Sequence, residues 1–238
     1  MSKKIFQLFL CVSALCTSLH LNGTEDVFRA RVRFFNPFAD TKGVYYMNLS
    51  GEEFEIKAPF TLPTAYYDYA GDPNVVLYRK KGSDETAQKV KVATFKLSRA
   101  DQNYFVFLAP ELPRDPATGY AVTVYDDSAK SLPARSTRIY NLAGAEIAIQ
   151  MGDAKRRIGA RDTLTLRNTD AQFSSTKGSP VEFSSSQDMP VRVGVNLGDE
   201  WRIFYRRMWQ LNTDGRHHVF IVPMGGKTLR VIKLSDLE

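Results

Sequence analysis

The strand-like heptapeptide YFVFLAP at 104–110 returns in pattern as HHVFIVP at 217–223, with Val, Phe and Pro in the same places, and this recurrence constrains the fold more than any other feature. Three further segments line up in the same order. RVRFFN at 31–36 matches STRIYN at 136–141, setting Arg33 against Arg138 and Asn36 against Asn141. GVYYMNLSG at 43–51 corresponds to EIAIQMGD at 146–153, and YAVTVYDD at 120–127 to TLRVIKLSD at 228–236. The offset is 105 at the arginine pair, 113 at the proline-ended pair and 109 at the last, as loops of unequal length would leave it. The chain therefore reads as two tandem copies of one unit, 28–128 and 134–238, joined near AKSLPARS at 129–136.

Within each copy, short segments rich in Val, Ile, Phe and Tyr alternate with turn clusters such as NPFADTKG, AGDPN and LPRDPATG. Seven or eight such strands in roughly 100 residues predict an all-β fold of two antiparallel β-sandwich domains, immunoglobulin-like in type. The proline after each VF strand lacks an amide proton, so it is expected to end ladder pairing. WRIFYRRMWQL at 201–211 fits two periods. At helical spacing it would be a basic amphipathic helix lying on a membrane. At period two, Trp201, Ile203, Tyr205, Trp209 and Leu211 share one face, with only Arg207 out of place. Its counterpart in the first copy is KVKVATFKL, a β-branched strand, and this settles the expectation on strand.

Residues 1–23 stand apart. A basic MSKK, the apolar IFQLFLCVSALC and a polar TSLHLNG have the layout of a secretory signal, cleaved after Ser18 or Gly23, with an uncleaved anchor as the alternative. The chain is expected to be exported to a periplasm or the extracellular space. Both cysteines, Cys11 and Cys16, fall in this signal, so the rest has none for disulfides, thiolate metal sites or thiol nucleophiles. Each copy must be held by its core, for which 15 Phe, 11 Tyr and 2 Trp supply apolar area.

Catalytic signals are sparse. His217 and His218 are adjacent on a strand and point to opposite faces, which prevents them from binding the same metal ion; one partly packed and one solvated ring are expected. Glu53 and Glu55 share a strand face that is solvated by default. Asp126 and Asp127 end a strand where turn initiation or solvation accounts for them, with Asp236 at the matching place. Asp68, Asp72 and Asn74 surround a glycine but lack the full oxygen ladder of a calcium loop. The sequence contains no G-x-S-x-G, P-loop or dinucleotide fingerprint. No cofactor or metal is expected, and no enzymatic activity.

Binding signals are stronger. In TAYYDYAGD, Tyr67 and Tyr69 share a face and Tyr66 takes the other. With Tyr66 in the core, Tyr67 and Tyr69 would form an exposed platform for a sugar or protein; the alternative is a tyrosine-rich strand serving both sheet faces. Trp201, Arg202, Arg206 and Trp209 complete the candidate binding residues. Charge is uneven: residues 134–238 carry 16 Lys+Arg against 11 Asp+Glu, and residues 28–133 carry 14 against 13. The excess suits an acidic partner or a solvated surface. An envelope protein or polysaccharide is the expected partner; export argues against nucleic acid, and membrane attachment would come only from an uncleaved signal.

The opening strands RVRFFN and STRIYN, with their R-x-R-x-x-N-like pattern, resemble those of uncharacterised exported bacterial proteins with repeated sandwich domains. The resemblance spans most of the chain beyond the signal and implies paired sandwiches, with no activity attached. The expectation is a non-enzymatic envelope protein that binds or scaffolds. One alternative is a periplasmic chaperone of the pilus-assembly type, acting by strand addition. Another is a carbohydrate-directed binding module using Tyr67, Tyr69 or the tryptophans.

Overall fold

A computed structural model of the chain describes residues 27–82, 87–110, 119–168, 186–196, 198, 200–212, 214–225 and 228–236. The signal expected at 1–23 lies outside them. Among the described residues, eight strands precede the join: β1 Phe28–Phe35, β2 Thr41–Met47, β3 Glu53–Ala58, β4 Tyr67–Gly71, β5 Asn74–Lys81, β6 Gln88–Lys96, β7 Gln102–Pro110 and β8 Tyr120–Asp126. Eight more described strands follow: β9 Ser136–Asn141, β10 Ile147–Met151, β11 Ala154–Ile158, β12 Thr163–Arg167, β13 Ser186–Asn196, β14 Trp201–Asn212, β15 Arg216–Gly225 and β16 Thr228–Asp236.

The second half repeats the topology of the first strand for strand. Sheets β4-β1-β7-β8 and β3-β2-β5-β6 form one sandwich, and β12-β9-β15-β16 and β11-β10-β13-β14 the other. In each, the opening strand pairs in parallel with the seventh, β1 with β7 and β9 with β15. The register repeats too: Arg33 lies opposite Phe105, and its counterpart Arg138 opposite His218. A bulge recurs at one place, skipping Val92 between Leu77 and Tyr78 in the first copy and Phe204 between Val193 and Gly194 in the second. Two independent sandwiches would have no reason to share these irregularities. The class is as expected, but the order is not the ABED and CFG order of an immunoglobulin domain, since β2 shares a sheet with β3.

Each sandwich has its own core. Val32, Phe34, Tyr46, Ile56, Leu77, Tyr104 and Val106 fill the first, and Ile139, Ile149, Val191, Val193, Leu211, Val219 and Ile221 the second. Small anchors recur as well. Asn36 accepts the amides of Phe38 and Ala39, and Asn141 accepts that of Ala143, so the repeated asparagine closes the turn after each opening strand. Tyr104 and its counterpart His217 both pin the turn before their own strand. The Tyr104 hydroxyl accepts the Arg99 amide and donates to its carbonyl, and His217 Nε2 lies 2.8 Å from the Asn212 carbonyl. The prolines differ. Pro110 closes β7, whereas the β15 ladder resumes beyond Pro223, after a register shift, at Gly225.

A third core joins the copies. Phe35, Phe105 and Phe107 from β1 and β7 meet Tyr140, Phe220 and Val222 from β9 and β15. Equivalent positions face each other: Phe105 stacks on His218 at 5.2 Å, and Phe107 on Phe220 at 6.1 Å. The described residues thus form four stacked sheets, with the middle strands β7, β9 and β15 of the inner two buried on both faces. That is why YFVFLA and HVFIV run almost wholly apolar instead of alternating.

Candidate functional site

Two constellations stand out, one sealed and one open. The sealed one lies in the seam between copies. Arg33 Nη2 contacts Asp127 Oδ2 at 2.6 Å and donates to His218 Nε2 at 2.9 Å. Tyr66 donates to the same carboxylate oxygen at 2.6 Å, and Tyr140 Oη lies 2.9 Å from His218 Nδ1. A guanidinium can only donate, so Nε2 accepts and the ring hydrogen sits on Nδ1, directed at Tyr140. Burial pushes the Tyr140 hydroxyl far above its usual range.

Tyrosine, histidine and aspartate in one chain of contacts resemble a catalytic set, but Tyr140 and Asp127 are 0% exposed and His218 1%. At that burial the groups serve one another. Two expectations change here. Both histidines are buried, where one solvated ring was expected, because the face opposite the core is covered by the other copy. Asp127 is likewise buried as the partner of Arg33, while Asp126 takes the expected turn role, accepting the Ser128 amide. Arg138 turns to the join, donating to the carbonyls of Asp126 and Ser131. The two repeated arginines therefore clamp one connecting segment from either side, and Leu132 within it is buried.

The open constellation is the outward face of β11-β10-β13-β14. Of the sequence-predicted binding residues, only Trp201 and Arg206 lie on it. Tyr69 and Trp209 are 5% exposed and belong to the cores, and Tyr67 packs against the first core. The tyrosine platform thus faces inward, while Tyr66 points to the seam, the reverse of the expected parity. Arg202 pairs with Val195, a core residue, and so takes the opposite face. The strand expected over 201–211 is β14, but the bulge at Phe204 splits its expected single face: it turns Trp201 and Ile203 outward with Arg206 and Met208, and leaves Tyr205, Trp209 and Leu211 toward the core.

Cross-strand partners share a face, so the register arranges this surface in rows. Arg157, Ala148, Gly194 and Ile203 form one, and Lys155, Gln150, Arg192 and Arg206 the next. Over the small residues lies a hollow of about 450 Å³, bordered by Lys155, Arg157, Arg192, Trp201 and Ile203. The Arg157 guanidinium sits 5.3 Å from the centre of the Trp201 ring system. Among the described residues no carboxylate lines the hollow.

The first copy is filled at the same positions. By the shared bulge and register, Tyr45 and Tyr78 occupy the places of Ala148 and Gly194, and their rings stack at 6.0 Å. Glu53 and Glu55 stand where the second copy has Lys155 and Arg157. Glu53 bonds both Lys80 and Lys89, and these bonds lower its carboxyl to about 2. Those lysines lie over Tyr45 and Tyr78 at 4.9 and 5.0 Å. Glu55 pairs with Lys57. At these places one copy has stacked tyrosines and glutamates paired with lysines, and the other has a hollow bordered by cations. Ala148, Arg192 and Gly194 could not be singled out from the sequence, because only the β10–β11 and β10–β13 pairings bring them beside Lys155 and Arg157. No protein-family model matches the chain, and no curated protein matches it.

Proposed function

We propose that the chain is an exported, non-enzymatic binding module, in which the inner sheets form a fixed frame and the outward face of β11-β10-β13-β14 takes an acidic ligand. The observation that carries this reading is the divergence of the two equivalent faces. Small residues where the first copy has tyrosines, and cations where it has glutamates, give the second sandwich less packing and fewer local ion pairs at these places, and a frame alone has no use for either. Strand addition at β14, as in pilus-assembly chaperones, has that strand's 12 residues and its place at the end of a sheet in its favour. Arg202 and Arg207 along the same edge oppose it, as charged residues on an edge discourage pairing.

The test reverses the charge where the copies differ. With the chain immobilised, acidic material from envelope fractions is expected on the wild type and reduced about tenfold or more on a Lys155→Glu/Arg157→Glu variant. Equal retention on both would refute the reading.

A further inference from the structure

The hollow has a size and a chemistry that narrow its ligand, and this step rests on the acidic-ligand reading above. About 450 Å³ over Ala148 and Gly194 is room for one or two sugar-sized rings. One wall is the Trp201 ring system, 39% exposed, whose apolar face suits the C–H face of a pyranose. The neighbouring row is cationic on three of four strands: Lys155 on β11, Arg192 on β13 and Arg206 on β14, all exposed. Strands lie about 4.8 Å apart, so the row runs about 14 Å across the sheet. Lys155 and Arg192 are two strands apart, with Gln150 between them, and Arg192 and Arg206 are one strand apart, so the cations fall on multiples of one step, which suits an anion repeated along a polymer. Arginine forks favour planar carboxylates, which they grip with two parallel hydrogen bonds. Glu146, at the Asn196–Trp201 end, is engaged by the Asn196 side chain.

We infer that this face binds a carboxylate-bearing polysaccharide, a polyuronate, lying across the strands, with one ring seated in the hollow against Trp201 and its carboxylates on Arg157, Arg192 and Lys155. A single-stranded nucleic acid would call for successive aromatic platforms, and the face offers one tryptophan. A lipid surface would call for a continuous apolar rim, and the row beside the hollow is charged.

The experiment is calorimetric titration of the chain with an oligogalacturonide, beside a neutral oligomaltoside, a single-stranded oligodeoxythymidylate and phosphatidylglycerol vesicles. The oligogalacturonide is expected to bind, more weakly as salt rises, and the oligomaltoside not to bind. Refilling the hollow as the first copy does, with Ala148→Tyr/Gly194→Tyr, should weaken binding about tenfold or more. An added Cβ at Gly194 meets only ordinary contacts, 3.5 Å from the Arg202 carbonyl oxygen and 3.7 Å from Trp201. Arg192→Glu, an exposed change, supplies a second variant with the same expected loss. Tighter binding of the oligodeoxythymidylate or the vesicles, abolished by Arg192→Glu, would overturn the polyuronate while leaving the acidic-ligand reading intact. Oligogalacturonide binding that survives the refilling would overturn the seat in the hollow. No binding of any anionic probe would overturn the inference, and equal envelope retention by the Lys155→Glu/Arg157→Glu variant would separately take the underlying reading with it.

Discussion

Asp127→Ala is expected to lower stability by about 3–5 kcal/mol, read as a shift of the denaturant midpoint. The carboxylate is fully buried and holds Arg33 at 2.6 Å, with the Tyr66 hydroxyl on the same oxygen. Its removal leaves a guanidinium in the seam with the His218 nitrogen as acceptor and aromatic faces around it, Phe105 at 4.9 Å and Tyr66 at 5.1 Å. Desolvation of that charge is then offset far less. The prediction has an internal control. Arg33→Met/Asp127→Leu removes both charges and should recover most of the loss, because burying a stranded ion costs more than burying an apolar pair. A double variant no more stable than Asp127→Ala would show that the pair is not what the seam depends on.

Phe220→Ala should cost a similar amount, about 3–5 kcal/mol, and should also change how the molecule unfolds. Phe220 is the hub of the third core, with ring centres 4.5 Å from Tyr140, 4.9 Å from Phe35, 5.5 Å from Phe105 and 6.1 Å from Phe107. A cavity there weakens the seam and leaves both sandwich cores untouched. Calorimetry of the wild type is expected to show one cooperative transition, and that of Phe220→Ala two, one per sandwich. A single lowered transition would mean that the copies are coupled through the clamped segment at 126–131 instead.

The duplication was legible because it is carried by residues with fixed tasks. Arg33 and Arg138 hold the join, Asn36 and Asn141 close a turn, and the VF strands fill the middle of the stack. The seam had a signal that alternation alone does not weigh: an almost uninterrupted apolar strand is buried on both faces, and HVFIV continues straight on from His218. The parity of Tyr66, Tyr67 and Tyr69 was not legible, since tyrosines on both faces of one strand carry no sign of which is inner. Nor was the bulge. The skipped residues are Val92 and Phe204, ordinary strand residues, and only the pairing of β5 with β6 and of β13 with β14 exposes them. The proposed binding face depends on that bulge, so Trp201 and Arg206 are legible in the sequence without the hollow beside them.

The two tryptophans allow a direct check on where the ligand goes. In a Trp209→Phe chain the tryptophan emission, excited at a wavelength where tyrosine absorbs little, comes from Trp201 alone, at the wall of the hollow. Titrating oligogalacturonide into it should shift the Trp201 emission to the blue and shield it from acrylamide, with a midpoint equal to the calorimetric one. Full calorimetric binding with Trp201 emission and quenching unchanged would place the ligand elsewhere and contradict the assignment of this face.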